Sequence, residues 1–156
     1  SSKTPSVLSL TRQNLEPIRK KYSNVNKCSL GAYEVFRTNK KIHLTIIASG
    51  SEVNLAIETS HKLAKEKVYS KVISMPCQDL FDSQSRTYKQ KILNETKMKI
   101  SIEAASTDSW KKYVGNEGLT FGIDTFGKSA PYKEIYKYFG LTAANIANKS
   151  KKLINR

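Results

Sequence analysis

Acidic side chains are scarce in this sequence: 13 Asp and Glu stand against 27 Lys and Arg, a net charge of +14 over 156 residues. Cysteine is scarcer still, with only Cys28 and Cys77. They lie far apart and lack the close pairing of a zinc site, so they are expected to be reduced and structural rather than a disulfide framework. Long apolar runs are missing. None approaches the roughly 18–20 residues that span a bilayer, and the polar start Ser1-Ser2-Lys3-Thr4-Pro5 has no signal-peptide core. A cytoplasmic location without a membrane partner is therefore expected. The first residue is not Met, so the natural protein is expected to begin upstream. No G-x-G-x-x-G, no G-x-x-x-x-G-K-[ST] and no G-x-S-x-G occurs, which removes motif support for dinucleotide binding, nucleoside-triphosphate binding and a hydrolase nucleophile. The two histidines, His43 and His61, have no partners at metal-ligand spacing.

What remains is ordinary for a globular chain: 38% hydrophobic and 26% charged residues, a length suited to one domain over residues 1–156, and no internal repeat. The basic excess is densest within residues 1–41, where nine Lys or Arg face Glu16 and Glu34. A basic surface attracts phosphorylated metabolites or nucleic acid. Here the lysines alternate with apolar residues along helices, and no aromatic-rich RNA-reading motif accompanies them. Solvated lysine accounts for the charge better than a nucleic-acid partner does. A stand-alone basic module that binds nucleic acid or another anion is the competing class, and salt-sensitive binding would mark it.

Strand and helix patterns alternate along the chain. After the polar tail 1–5, Val7–Leu10 reads as a short strand, and 17–40 as a long surface connection holding a short antiparallel strand near Ala32–Phe36. Ile42–Ala48 has the β-branched, apolar make-up of a buried strand. It breaks at Ser49-Gly50-Ser51-Glu52 into a helix whose Val53, Ala56, Ile57, Ser60, Leu63 and Ala64 share one face. Ser49 or Ser51 is expected to cap that helix, with Glu52 suited to its dipole. Further strands are expected at Lys71–Met75, Lys97–Glu103 and Leu119–Gly122. Helices are expected over 84–93, Ser109–Val114, Pro131–Phe139 (with Pro131 at the first helical position) and from Thr142 onward. Alternation of this kind predicts an α/β fold, a three-layer α/β/α sandwich around a mostly parallel sheet.

Such sheets bind ligands at the carboxyl ends of their strands. The loop around Gly50 offers backbone N–H groups to an anion. Glu103, Asp79 and Asp82 follow strands, where a cap or loop hydrogen bond explains them as well as a function does. Trp110 reads as packing. Arg12 sits between polar neighbours after a short strand, with no helical partner to neutralise it. That presentation suits bidentate recognition of phosphate or carboxylate, although spacing alone favours a surface ion pair.

Several stretches in order resemble the C-terminal domain of transketolases: Leu8-Ser9-Leu10-Thr11-Arg12-Gln13-Asn14-Leu15, Ala48-Ser49-Gly50-Ser51-Glu52-Val53, Val72-Ile73-Ser74-Met75-Pro76 with Leu80-Phe81-Asp82, Ile102-Glu103-Ala104, Trp110–Gly115, Phe126-Gly127-Lys128-Ser129-Ala130-Pro131 and Phe139-Gly140-Leu141-Thr142. The resemblance implies a mixed five-stranded sheet whose first strand is antiparallel to the others. It also implies a homodimeric parent that moves a two-carbon ketol unit between ketose and aldose phosphates of the pentose phosphate pathway. Thiamine diphosphate and Mg²⁺ would sit in upstream domains of the same polypeptide, because the diphosphate-binding G-D-G…N motif does not occur here. Of the family's functional residues only the Arg of R-Q-N carries over, as Arg12, a contact for the substrate phosphate. No catalytic, cofactor or metal residue carries over, and the chain by itself is expected to be inactive. Ala105 replaces a frequent Gly and Lys128 a frequent acidic residue, neither at Arg12. The equivalent domain of a deoxyxylulose-phosphate synthase or a dehydrogenase β subunit shares the expected fold, but fits the R-Q-N, G-S-E-V and F-G-x-S-A-P combination less well.

Overall fold

A computed structural model describes residues 5, 7–19 and 22–154. Five strands form one sheet in the order β1-β3-β2-β4-β5: β1 (Tyr33–Arg37), β2 (Leu44–Ala48), β3 (Ser70–Ser74), β4 (Lys99–Ile102) and β5 (Leu119–Phe121). β1 runs antiparallel to β3 and the other pairings are parallel. Leu44–Ala48 aligns with Ser70–Ser74 on one side and Thr45–Ala48 with Lys99–Ile102 on the other. A mixed sheet with an antiparallel edge strand thus matches the expected class.

Side-chain alternation along β2 explains the layering. Leu44, Ile46 and Ala48 enter a core shared with Val53, Ala56 and Leu63 of α1 (Glu52–Lys65) and Ile146, Ala147 and Leu153 of α6 (Ala143–Ile154). Ile47 points the other way, into a second core with Ile73, Met75, Phe81, Trp110 and Tyr113. That face is covered by α2 (Gln78–Asp82), α3 (Arg86–Leu93) and α4 (Lys111–Val114). The last helix before α6, α5 (Tyr132–Tyr138), packs Tyr136 against the first core. Strand β2 is buried throughout, as a central parallel strand must be when helices cover both faces.

Among the described residues two charged side chains are buried, Glu52 on α1 and Lys71 on β3. The Lys71 side chain on β3 is 1% exposed, and its ammonium donates to Glu95 Oε2 at 3.0 Å. Arg37 clamps the same carboxylate through two hydrogen bonds of 2.6 and 2.7 Å and grips Glu34 with two more. A carboxylate between two cations offsets the desolvation of the lysine. Those Arg37 bonds, with Lys71 assisting against burial, hold Glu95 down to about 2.

Several local expectations need correction. Val7–Leu10 is not a strand: no described strand pairs with it, and Val7 is 96% exposed, Leu8 81% and Leu10 76%. A short apolar run becomes a strand only when an edge receives it, and none of the five does. His43 precedes β2 rather than lying within it, and its Nδ1 accepts from the Tyr69 N–H at 3.0 Å. Pro131 is the N-cap of α5 rather than its first helical residue. With ψ of 136° its carbonyl accepts from Glu134 and Ile135. Neither Ser49 nor Ser51 caps α1 through its side chain: Ser51 has a helical backbone, and both hydroxyls are committed to carboxylates. The polar stretch after Pro76 also carries α2, which the sequence pattern missed.

Candidate functional site

Two adjacent strands diverge at the middle of the sheet. Strand β2 leads through α1 to β3 on one side, whereas β4 leads to β5 on the other. Their carboxyl ends form a topological switch point, the place where open α/β sheets leave a crevice. Ser49 and Gly50 follow β2 there, and Glu103 follows β4. Gly50 has φ of +48°, a conformation that glycine adopts without the steric penalty of a side chain.

The chemistry at this point is acidic. Glu52 in the first turn of α1 is 3% exposed, and its Oε1 accepts from the Ser51 hydroxyl at 2.8 Å and from the Tyr136 hydroxyl of α5. Glu103 receives the Ser49 hydroxyl at 2.7 Å and faces Glu52. Burial first, then the neighbouring Glu52, pushes Glu103 up to about 7, against the lowering effect of Ser49. Burial and the Glu52 carboxylate push Tyr136 up to about 12. Two carboxyl groups in contact cannot both ionise cheaply. Tyr136 and Ser51 both donate to Glu52, whereas burial favours the protonated form of Glu103. An anion at the Gly50 loop, a contact the sequence leaves open beside a merely structural turn, would meet two carboxyl groups.

Arg12 lies on the segment that crosses the start of α1. The guanidinium is exposed, and among the described residues it makes no ion pair. Its segment is nonetheless anchored. Thr11 Oγ1 accepts from the Gln13 N–H at 3.3 Å, the half-buried Gln13 approaches the Tyr136 hydroxyl, the Asn54 amide reaches the Glu16 carbonyl at 3.4 Å, and Ile18 packs on the first core. A solvent-facing guanidinium on a fixed backbone is available to a phosphate.

The remaining candidates have structural partners. Asp82 accepts from Lys112 at 2.6 Å and Tyr113 at 3.0 Å, tying α2 to α4. Burial raises its pKa, but these two donors win and hold it below the usual range. Asp79 is exposed in the first turn of α2. Cys28 and Cys77 are free thiols. Phe126 is 96% exposed and Lys128 also faces solvent, so the F-G-x-S-A-P loop offers a surface rather than a pocket. Sequence reading missed Tyr136, whose only signal was a polar-tipped residue on the inner face of a short helix. It also missed the contact between Glu52 and Glu103, which lie 51 positions apart and meet only through the pairing of β2 with β4.

Comparison with known proteins agrees with this architecture. A family model described as "Transketolase-like TK C-terminal domain" matches residues 31–142. Transketolase of Bacillus subtilis is 43% identical over an alignment covering all of this chain and 24% of its own length. Among solved structures, transketolase from Leishmania mexicana is 37% identical with a TM-score of 0.77, over 86% of this chain and 19% of that one. A mutant transketolase from Pichia stipitis is 33% identical with a TM-score of 0.80, over 92% and 20%. The chain thus spans about a quarter or less of the curated transketolases named in these comparisons. A mixed five-stranded sheet in this order, with the sequence identity to match, places the chain in the transketolase C-terminal domain family.

Proposed function

We propose that the protein containing this chain transfers a two-carbon ketol unit from a ketose phosphate to an aldose phosphate, and that Arg12 holds the phosphate end of the sugar. The observation that carries this reading is the exposed guanidinium on a backbone segment fixed by Gln13, Glu16 and Ile18, in a chain whose relatives are transketolases. A guanidinium forms two parallel hydrogen bonds to phosphate oxygens. Its task is positioning: holding the distant end of a sugar lowers the entropic cost of aligning the reacting end.

Residues 1–156 act in this reading as one domain beside upstream domains that hold thiamine diphosphate and Mg²⁺. Among the described residues no three His, Cys, Asp or Glu side chains are grouped to hold a metal ion, and the sequence has no G-D-G…N motif. This chain's residues do not fit either group, and no chemical step is assigned to them. The apolar side chains of Val7, Leu8 and Leu10, bare here, supply surface for packing on those domains or on a second subunit of a homodimer. Among the described residues no helix is long and apolar enough to cross a membrane, in keeping with a cytoplasmic enzyme, and the lysine-rich surface serves solvation rather than nucleic acid.

The test compares the 156-residue chain with the full-length protein in a coupled ketol-transfer assay containing thiamine diphosphate and Mg²⁺. Turnover by the full-length protein and none by the chain is expected. Turnover by the chain alone contradicts the division of labour, and an inactive, folded, cofactor-loaded full-length protein contradicts the assigned reaction.

A further inference from the structure

The switch-point crevice is an open groove of about 370 Å³. It opens between the carboxyl ends of β2 and β4 and the start of α2, within the range of small-molecule pockets. Met75, Pro76 and Trp110 supply apolar wall, and Ser49, Gln78, Glu103, Ser106 and Ser109 supply the polar groups. These groups retain free hydrogen-bonding capacity. Gln78 Nε2 donates to Ser109 Oγ at 3.2 Å, which leaves the second amide N–H, the amide oxygen and the Ser109 hydroxyl proton unspent. Ser106 Oγ receives the Asp108 N–H at 3.4 Å and its hydroxyl faces the Asp124 carboxylate, so toward a ligand it offers its remaining oxygen lone pair.

Among the described residues no Lys or Arg lines this cavity, although the chain carries 27 of them. Among the described residues Glu103 is its one titratable lining group, near the buried Glu52. An anion entering would meet a carboxyl and no counter-charge. The cavity between α2, α3 and α4 has the opposite lining, Arg86, Lys89 and Lys112, but Lys112 and Lys89 are already bound to the carboxylate and carbonyl of Asp82.

We propose that the switch-point cavity binds an uncharged, hydroxyl-rich small molecule, an unphosphorylated sugar or polyol. Neighbouring hydroxyl groups both donate and accept, which matches a rim of one amide, three serines and a carboxyl. The ligand's C–H face meets the exposed Pro76 and Ala105 of the lining, beside the buried Trp110. Recognition of this kind is separate from phosphate contact at Arg12, and it discriminates against the phosphate esters of the same molecules.

Trp110 is the only tryptophan in the chain, so its fluorescence reports on the cavity directly. The folded chain is titrated with xylitol and D-glucose, and separately with D-glucose 6-phosphate. Ser106→Leu at the exposed rim closes the mouth, and Gln78→Leu removes the amide. Circular dichroism and the urea midpoint check that both variants are folded. A saturable fluorescence change with xylitol or D-glucose is expected. It should be lost in Ser106→Leu, weakened about ten-fold in Gln78→Leu, and at least about ten-fold weaker with the phosphate ester. A linear change that persists in Ser106→Leu, as excluded osmolytes give, overturns the proposal. So does equal or tighter binding of D-glucose 6-phosphate, or no response to either neutral probe.

Discussion

Replacing Glu103 by Gln should stabilise the protein above neutral pH and do little below pH 5. The carboxyl is moved from its ordinary value near 4.5 to about 7, by burial first and by Glu52 second. The native state therefore keeps a proton that the unfolded chain has released. The sign follows: the group's contribution is fully present below about pH 4.5 and is lost as pH rises through about 7. A displacement of that size carries roughly 3 kcal/mol, and partial solvent access at Glu103 reduces it to about 2 kcal/mol. Gln has the shape of the protonated acid and can donate to Glu52, so it should mimic the low-pH state at every pH. Urea unfolding of both proteins from pH 4.5 to 8.5 is the assay. Wild type should lose about 2 kcal/mol relative to the variant across that range. A constant difference, or a variant that becomes relatively weaker as pH rises, refutes a Glu103 carboxyl held in its protonated form by burial.

The ion cluster on the opposite edge of the sheet should respond in the reverse sense. Glu95, held down to about 2 by Arg37 with Lys71 assisting against burial, contributes stability above its ordinary value near 4.5 that is lost as pH falls toward 2. Glu95→Gln should cost about 2 kcal/mol at pH 7, since it strands the buried Lys71 while Glu95 itself is partly exposed; chemical denaturation at pH 7 and pH 3 reads both effects. Gly31→Ala should cost about 4 kcal/mol or prevent folding. Gly31 has φ of +75°, and a Cβ there would stand 2.1 Å from the Phe81 backbone nitrogen. A variant with an unchanged thermal midpoint would show that the turn before β1 is open rather than packed on α2.

Much of the framework was legible because β2 and α1 state their environment locally. Leu44-Thr45-Ile46-Ile47-Ala48 is apolar on both faces, and the apolar face of α1 repeats with helical spacing, so a buried strand and a covering helix follow from pattern alone. Val7–Leu10 has a similar apolar character and yet no strand, because pairing depends on an edge elsewhere in the chain. The antiparallel direction of β1 was read from the short strand near Ala32–Phe36 within the surface connection, and the family resemblance added its place as the first strand of the sheet. At the carboxyl ends of the strands, Glu52 reads as a dipole partner and Glu103 as a loop acceptor until the register of Ala48 opposite Ile102 brings them together. Long-range contact creates that chemistry, and residue spacing carries no trace of it. Arg12 stood out for a simpler reason: a guanidinium between polar neighbours has no local use.

The account rests most heavily on that guanidinium. In the full-length protein, Arg12→Ala should raise KM for phosphorylated sugars about ten-fold or more, equivalent to roughly 1.4 kcal/mol, while kinetics with unphosphorylated analogues stay within about two-fold. Losses of equal size on both kinds of substrate would contradict it and leave Arg12 a structural residue.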